Sequence, residues 1–223
     1  MRIRLLLTAA LVIVLPFNLL AEDFVLKDAM DKINYSVGHQ IGGDFKDQGV
    51  DMRSDALLQG IRDAIQSNKP PMTQGEMRQV LLDLKKMVIE GEKAKQEKYR
   101  GEGRDFLKAN AAKEGIISLP SGLQYKVLQV GTGPVPTAGD SVKVNYLGTR
   151  LDGREFDSTS RRGGPEVISL SKVIPGWKEA LTLMPVGSKW QLFIPADLAY
   201  GERGPLAEQT VIFEVELLAI DKS

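Results

Sequence analysis

The chain has 223 residues, of which 43% are hydrophobic, 26% charged and 6% aromatic, an ordinary globular composition for one or two domains that excludes a disordered or fibrous protein. Lys plus Arg and Asp plus Glu each number 29, so no global field exists to recruit nucleic acid or an anionic membrane. Cysteine is absent, which removes disulfide staples and lipid attachment at an N-terminal Cys.

Residues 1 to 21 read as a secretory signal: Arg2 and Arg4 give a positive start, Leu5 to Leu15 is apolar, and Leu19-Leu20-Ala21 ends on a small residue. Pro16 and Asn18 interrupt an apolar run that is already shorter than the ~20 residues of a spanning helix. Cleavage after Ala21 would leave 27 basic against 29 acidic side chains, a formal charge of −2.

From Leu26 to Gln48 apolar residues recur at three- and four-residue steps: Leu26, Met30, Ile33, Val37, Ile41 and Phe45. Gly49 is the stop signal, and Gly38, Gly42 and Gly43 suit close approach of another helix. A second helix is predicted from Asp55 to Ser67 behind Ser54 as N-cap, ending before Pro70-Pro71. Thr73 with Glu76 forms a capping-box signature that opens a charged helix reaching about Ala112. Forty such residues span about 60 Å. The polar stretch from Glu90 to Arg104 predicts a strut between two bodies, bent or frayed near Gly91, Gly101 and Gly103. The first two helices and the start of the third would be marginal alone, so pairing with a second copy is the economical solution, with a folded-back monomeric cap as the other possibility.

Lys113 to Gly122 marks a boundary, after which the period changes to strands. Leu123 to Val130, Ser141 to Arg150, Arg154 to Ser158 behind the Asp152-Gly153 turn, Val167 to Leu170, Lys189 to Ile194 and Val211 to Ala219 are the predicted strands. One short helix, Trp177 to Leu183, follows the turn Val173-Ile174-Pro175-Gly176. The fold class is therefore α+β, with an antiparallel sheet of five or six strands against one helix. Tyr146, Phe156-Asp157, Ile174 to Trp177 and Ala199-Tyr200-Gly201 converge at the start of that helix, an aromatic wall with one carboxylate, suited to a small apolar group.

Tyr146-Leu147-Gly148, Leu151-Asp152-Gly153 through Phe156-Asp157-Ser158, Val173 to Trp177, Leu198 to Gly201 and Phe213 to Leu218 stand in the order and spacing of the FKBP-type peptidyl-prolyl isomerases, which the chain from about Leu119 onward resembles. Tyr35-Ser36-Val37-Gly38 and Leu119 to Tyr125 are similar to the macrophage infectivity potentiator subgroup of exported bacterial isomerases. The resemblance implies a signal peptide at 1–21, a helical dimerisation domain at 22–72, a long connecting helix at 73–112 and an FKBP-like isomerase domain at 113–223, in which a twisted sheet wraps one helix.

It further implies a proline pocket floored by Trp177 and walled by Tyr146, Phe156, Val173, Ile174 and Phe213. The Ile174 amide would meet a substrate or macrolide carbonyl, Asp157 and the Tyr200 hydroxyl would bond near the rotating amide, and Arg162 would hold Asp157 and Tyr146. Leu206 stands where longer loops place a hydrophobic tip. Pro165 is followed by Glu166 rather than an aromatic, and the loop from Glu202 to Gln209 is short. Both departures bear on preference for the residue before proline and on macrolide affinity.

Rotation about an X–Pro bond breaks no covalent bond, so the reading requires no cofactor, metal or nucleophile. The implied partners are proline-containing unfolded or partly folded polypeptides, a second copy of the chain and macrolide inhibitors, but not nucleic acid. The implied location is the periplasm, with outer-membrane or cell-surface association left open. The competing reading is a non-catalytic dimeric clamp for unfolded chains. Other chemistries lack their residues: His39, the sole histidine, lies in the first helix, there is no Gly-x-Ser-x-Gly, and Gly131-Thr132-Gly133 meets Pro136 where a phosphate loop needs a third glycine.

Overall fold

The computed structural model describes residues 24–221. The expected signal segment lies outside them. Among the described residues no helix is long and apolar enough to cross a membrane. The chain divides into two compact units after Arg53.

The first unit carries α1 (Ala29–Asp47), which starts later than Leu26 because the Asp28 side chain caps it by accepting from the Asp31 amide at 2.8 Å. None of its residues is buried, and Met30, Ile33 and Val37 on its apolar stripe are each more than half exposed.

The second unit begins with α2 (Ser54–Gln66) and α3 (Gln74–Ala111). The capping box forms as the sequence requires: Thr73 Oγ1 accepts from the Glu76 amide at 3.2 Å and Glu76 Oε2 accepts from the Thr73 amide at 2.8 Å. The 38-residue helix runs unbroken, so the fraying expected near its glycines does not occur. Its last turns are held by the sheet domain. Arg100 donates to both carboxylate oxygens of the buried Glu208, Asn110 donates to Gln124, Gln124 donates back to the Leu107 carbonyl, and Phe106 packs on Phe193. Gly103 is a close approach rather than a hinge, because a Cβ there would run into the Thr210 side chain.

Seven strands follow: β1 (Ile116–Ser118), β2 (Gln124–Gln129), β3 (Ser141–Arg150), β4 (Glu155–Ser158), β5 (Glu166–Ser169), β6 (Lys189–Ile194) and β7 (Val211–Asp221). The sheet is antiparallel in the order β1-β2-β6-β7-β3-β4, and β5 takes the remaining half of β3. This exceeds the five or six strands expected. Three-residue β1 lies within the stretch read as a boundary, too short to show alternation, and it exists through pairing with Gln124, Tyr125 and Lys126.

The helix α4 (Pro175–Leu181) starts two residues before Trp177, with Pro175 in its first turn, where a missing N–H costs nothing. Val142 and Val144 of β3, Trp190, Leu192 and Ile194 of β6, and Val211, Phe213, Val215 and Leu217 of β7 pack against Trp177, Ala180 and Leu181 of α4. Phe193 points to the opposite face, yet it is buried because Phe106 of α3 covers it.

Two glycines of α3 test the docking. Ala is the better helix former by about 1 kcal/mol, so Gly101→Ala, with open space at its Cβ, should raise the melting temperature. Gly103→Ala should lower it through the clash with Thr210, and equal shifts for the two variants would contradict the docked arrangement.

Candidate functional site

The site forms where the outer neighbour of β3 changes. Residues 147–149 pair with β4 and 141–144 with β5, and the chain between those strands leaves the sheet as a flap. The flap is tied back by Thr159, whose amide donates to the Tyr146 carbonyl while its Oγ1 accepts from the Tyr146 amide. Tyr146 is thereby fixed at the gap.

Beneath it lies Trp177, 5% exposed. Gly176 permits this placement: a Cβ there would stand 2.5 Å from Ile194 Cγ2, so α4 could not seat so closely on β6 with any larger residue. Tyr146 meets Trp177 edge-on at 5.1 Å, Phe213 meets Trp177 at 5.1 Å, and Phe156 meets Phe213 at 5.4 Å and Tyr200 at 6.0 Å. Such perpendicular contacts place the positive edge of one ring on the negative face of the next. Gly148 leaves room for them, since its Cβ would fall 2.7 Å from Phe213 and 2.9 Å from Phe156.

Above the indole is an open cavity of about 260 Å³ lined by Tyr146, Asp157, Arg162, Val173, Ile174, Trp177, Tyr200 and Phe213. The charged groups at its rim are ordered. The Tyr146 hydroxyl donates to Asp157 Oδ2 at 2.9 Å, and Arg162 Nη2 reaches both Asp157 oxygens at 2.9 and 2.8 Å. Arg162 Nη1 also approaches Glu166 at 3.5 Å. The Ile174 carbonyl accepts from the Trp177 and Lys178 amides, while its own N–H has no acceptor among the described residues. The Trp177 indole N–H is likewise unpartnered among them.

Eight of the ten residues singled out from the sequence therefore meet around one opening. Phe156 supports it from behind through Phe213 and Tyr200. Leu206 is buried and lines a neighbouring concavity of about 600 Å³ with Phe156, Tyr200 and Pro205. That concavity is the larger of the two, but its walls lack the indole floor and the ordered Tyr146–Asp157–Arg162 set. Sequence reasoning noted Glu166 only as a departure from the family pattern and missed Ile168 and Lys172 as lining residues. The four-residue step from Arg162 to Glu166 and the shared face of Glu166 and Ile168 on β5 were the available signals.

Burial first, and donation to Asp157 second, hold the Tyr146 hydroxyl well above the ordinary tyrosine range. Burial, then the charge of Asp157, raises Tyr200 as well. Both thus stay neutral donors at physiological pH. Because the unfolded chain ionises first, their contribution to stability is present below about pH 10 and lost as the pH rises through the raised values. An absorbance titration should show tyrosine ionising above the free range, and Tyr146→Phe should remove part of that component; no change would contradict the Tyr146–Asp157 bond.

A family model described as the domain amino-terminal to FKBP-type peptidyl-prolyl isomerase matches residues 30–127, and one described as FKBP-type peptidyl-prolyl cis-trans isomerase matches residues 133–218. Among curated proteins, Outer membrane protein MIP of Legionella longbeachae is 44% identical, the match covering 86% of each chain. The FKBP-type 22 kDa peptidyl-prolyl cis-trans isomerase of Escherichia coli (strain K12) is 41% identical over 84% of this chain and 93% of its own. Among solved structures, FkpA from Escherichia coli aligns with a TM-score of 0.64 at 33% identity, covering 88% of this chain and 99% of that one.

Proposed function

Because the chain belongs to the FKBP-type peptidyl-prolyl cis-trans isomerases and is an enzyme of that kind, we propose that the cavity over Trp177 is where the prolyl amide binds and turns. The observation that carries this reading is the opening itself, in which an indole floor, a free backbone donor and a neutral phenol surround one small apolar volume.

The uncatalysed barrier, about 18–20 kcal/mol, exists because resonance keeps the amide planar and polar. A pyrrolidine ring seated on Trp177, between Tyr146 and Phe213, loses water from its amide, which disfavours the planar form. The Ile174 N–H, which has no acceptor among the described residues, can donate to a carbonyl of the substrate. The Tyr200 hydroxyl can bond the amide region as it twists. Only interactions stronger in the twisted form accelerate rotation, and each 1.36 kcal/mol of such preference is tenfold in rate. Asp157 is held by Tyr146 and Arg162, so its charge is fixed before substrate arrives and no reorganisation is needed during the turn.

Protease-coupled isomerisation of a short Leu-Pro-Phe peptide tests the placement. Trp177→Leu and Tyr200→Ala should each lower kcat/KM by about tenfold or more, the loss of one directed interaction. Full activity in both variants would move the reaction elsewhere.

The remaining parts of the proposal concern assembly and place. Residues 22–72 form the dimerisation domain, 73–112 the connecting helix and 113–223 the isomerase domain. Support for pairing comes from α1, whose apolar residues Met30, Ile33 and Val37 are uncovered in a single protomer, and separately from Leu58 and Ile61 of α2. Export to the periplasm is supported by Arg2, Arg4 and the apolar run after them, and the clients there would be unfolded proline-containing chains, with chaperone activity beside catalysis. Outer-membrane association is supported by the name of the Legionella relative, and macrolide binding by the cavity's apolar walls. Light scattering should give twice the chain mass for the wild type and one chain mass for Ile33→Lys/Val37→Lys. A monomeric wild type would remove the dimer from the proposal.

A further inference from the structure

The larger concavity beside the proline cavity has an electrostatic character that proline binding does not use. Its apolar floor consists of Phe156, Pro205 and Leu206, and its rim carries Arg150, Arg154 and Arg203 against one carboxylate, Glu155. Arg154 is answered locally, since Asp152 Oδ2 accepts from its Nε at 2.8 Å. Glu155 is engaged as well: it accepts from Ser158 Oγ at 2.6 Å and stands 3.9 Å from Arg161. Arg150 and Arg203 have no side-chain hydrogen bond or ion pair among the described residues. Arg150 lies in the field of Asp152 without a direct ion pair, and it and Arg203 both line one apolar trough.

The trough adjoins the proline cavity at Tyr200, which lines both, and Phe156, edge-on to Tyr200 and Phe213, lines the trough. A chain whose proline sits over Trp177 must leave the cavity in two directions, and the wall formed by Tyr200 directs one of them across Leu206 toward Arg150 and Arg203. We propose that this trough is a subsite for an acidic side chain flanking the client's proline, its methylenes on Phe156 and Leu206 and its carboxylate between Arg150 and Arg203. The proposal rests on the placement of proline over Trp177. It makes substrate choice depend on the neighbours of proline through charge as well as apolar contact, and guanidinium, which meets carboxylate through paired N–H groups, suits that role better than ammonium would.

The test uses the full-length protein and capped peptides with Glu or Gln immediately before, or immediately after, a single proline, isomerisation being followed by exchange NMR. Two exposed charge pairs at the usual strength predict a Glu-over-Gln ratio in kcat/KM of about three- to tenfold at low salt in one of the two positions. The ratio should fall toward one at about 1 M salt, where charges are screened beyond ~3 Å. It should also fall toward one in Arg150→Gln/Arg203→Gln, and the salt response of the wild type needs no variant to fold. A ratio of one in the wild type at both positions, or a ratio that survives both replacements, would overturn the subsite. If Trp177→Leu turns over the Gln peptides as fast as the wild type, the placement of proline fails and the subsite fails with it. A ratio of one together with loss in Trp177→Leu removes the subsite alone.

Discussion

The seating of Trp177 over the sheet is the contact on which the rest of the site depends. Pro175 starts α4, Gly176 lets it lie against Ile194, and the indole then stands under the gap where β3 changes partners. A large apolar ring placed there contributes to the core from one face and supplies a cavity floor from the other. Tyr146, Phe213 and Phe156 complete the wall through edge-on contacts that fix their orientation as well as their position. A buried indole N–H without a partner among the described residues and an open apolar cavity both oppose stability, and surrounding packing must compensate for them.

Around this floor the polar groups are few and constrained. Asp157 accepts from Tyr146 and is gripped by Arg162, so the negative charge cannot swing into the cavity or collect water freely. Tyr146 and Tyr200 remain neutral because burial disfavours the phenolate. Rotation about an amide needs a surrounding that favours the twisted, less polar form, and it needs no proton to be taken permanently. In the proposed reading, an ordered rim over an apolar aromatic floor supplies such a surrounding.

The long helix braces the sheet domain. Its final turns dock on the segment that follows Tyr200: Arg100 grips the buried Glu208, and Gly103 lies against Thr210. Glu208 itself has a positive φ and donates its amide to the Gly201 carbonyl, so the loop is braced at both ends. The wall shared by the two concavities thus stands on a segment held by α3, which ties the shape of the site to residues far away in sequence.

Much was legible from local chemistry. The capping box at Thr73 and Glu76, the exact span of β3 and β6 and the turn before Trp177 followed from periodicity and turn residues, because each of those signals acts over a few neighbouring residues, whereas the meeting of Tyr146, Asp157, Ile174, Trp177 and Tyr200 was expected from the pairing of the strands and from the order of motifs in the family the chain resembles. Other features arise only from contacts between distant segments. Three-residue β1 has no period of its own, Gly103 looks like a helix breaker until Thr210 is beside it, and Phe193 seems to point outward until Phe106 covers it. The pairing of Arg100 with Glu208 joins residues 108 positions apart, and the trough holding Arg150 and Arg203 joins a strand end to a loop, so only the folded chain could decide which charges are paired within it and which line a concavity.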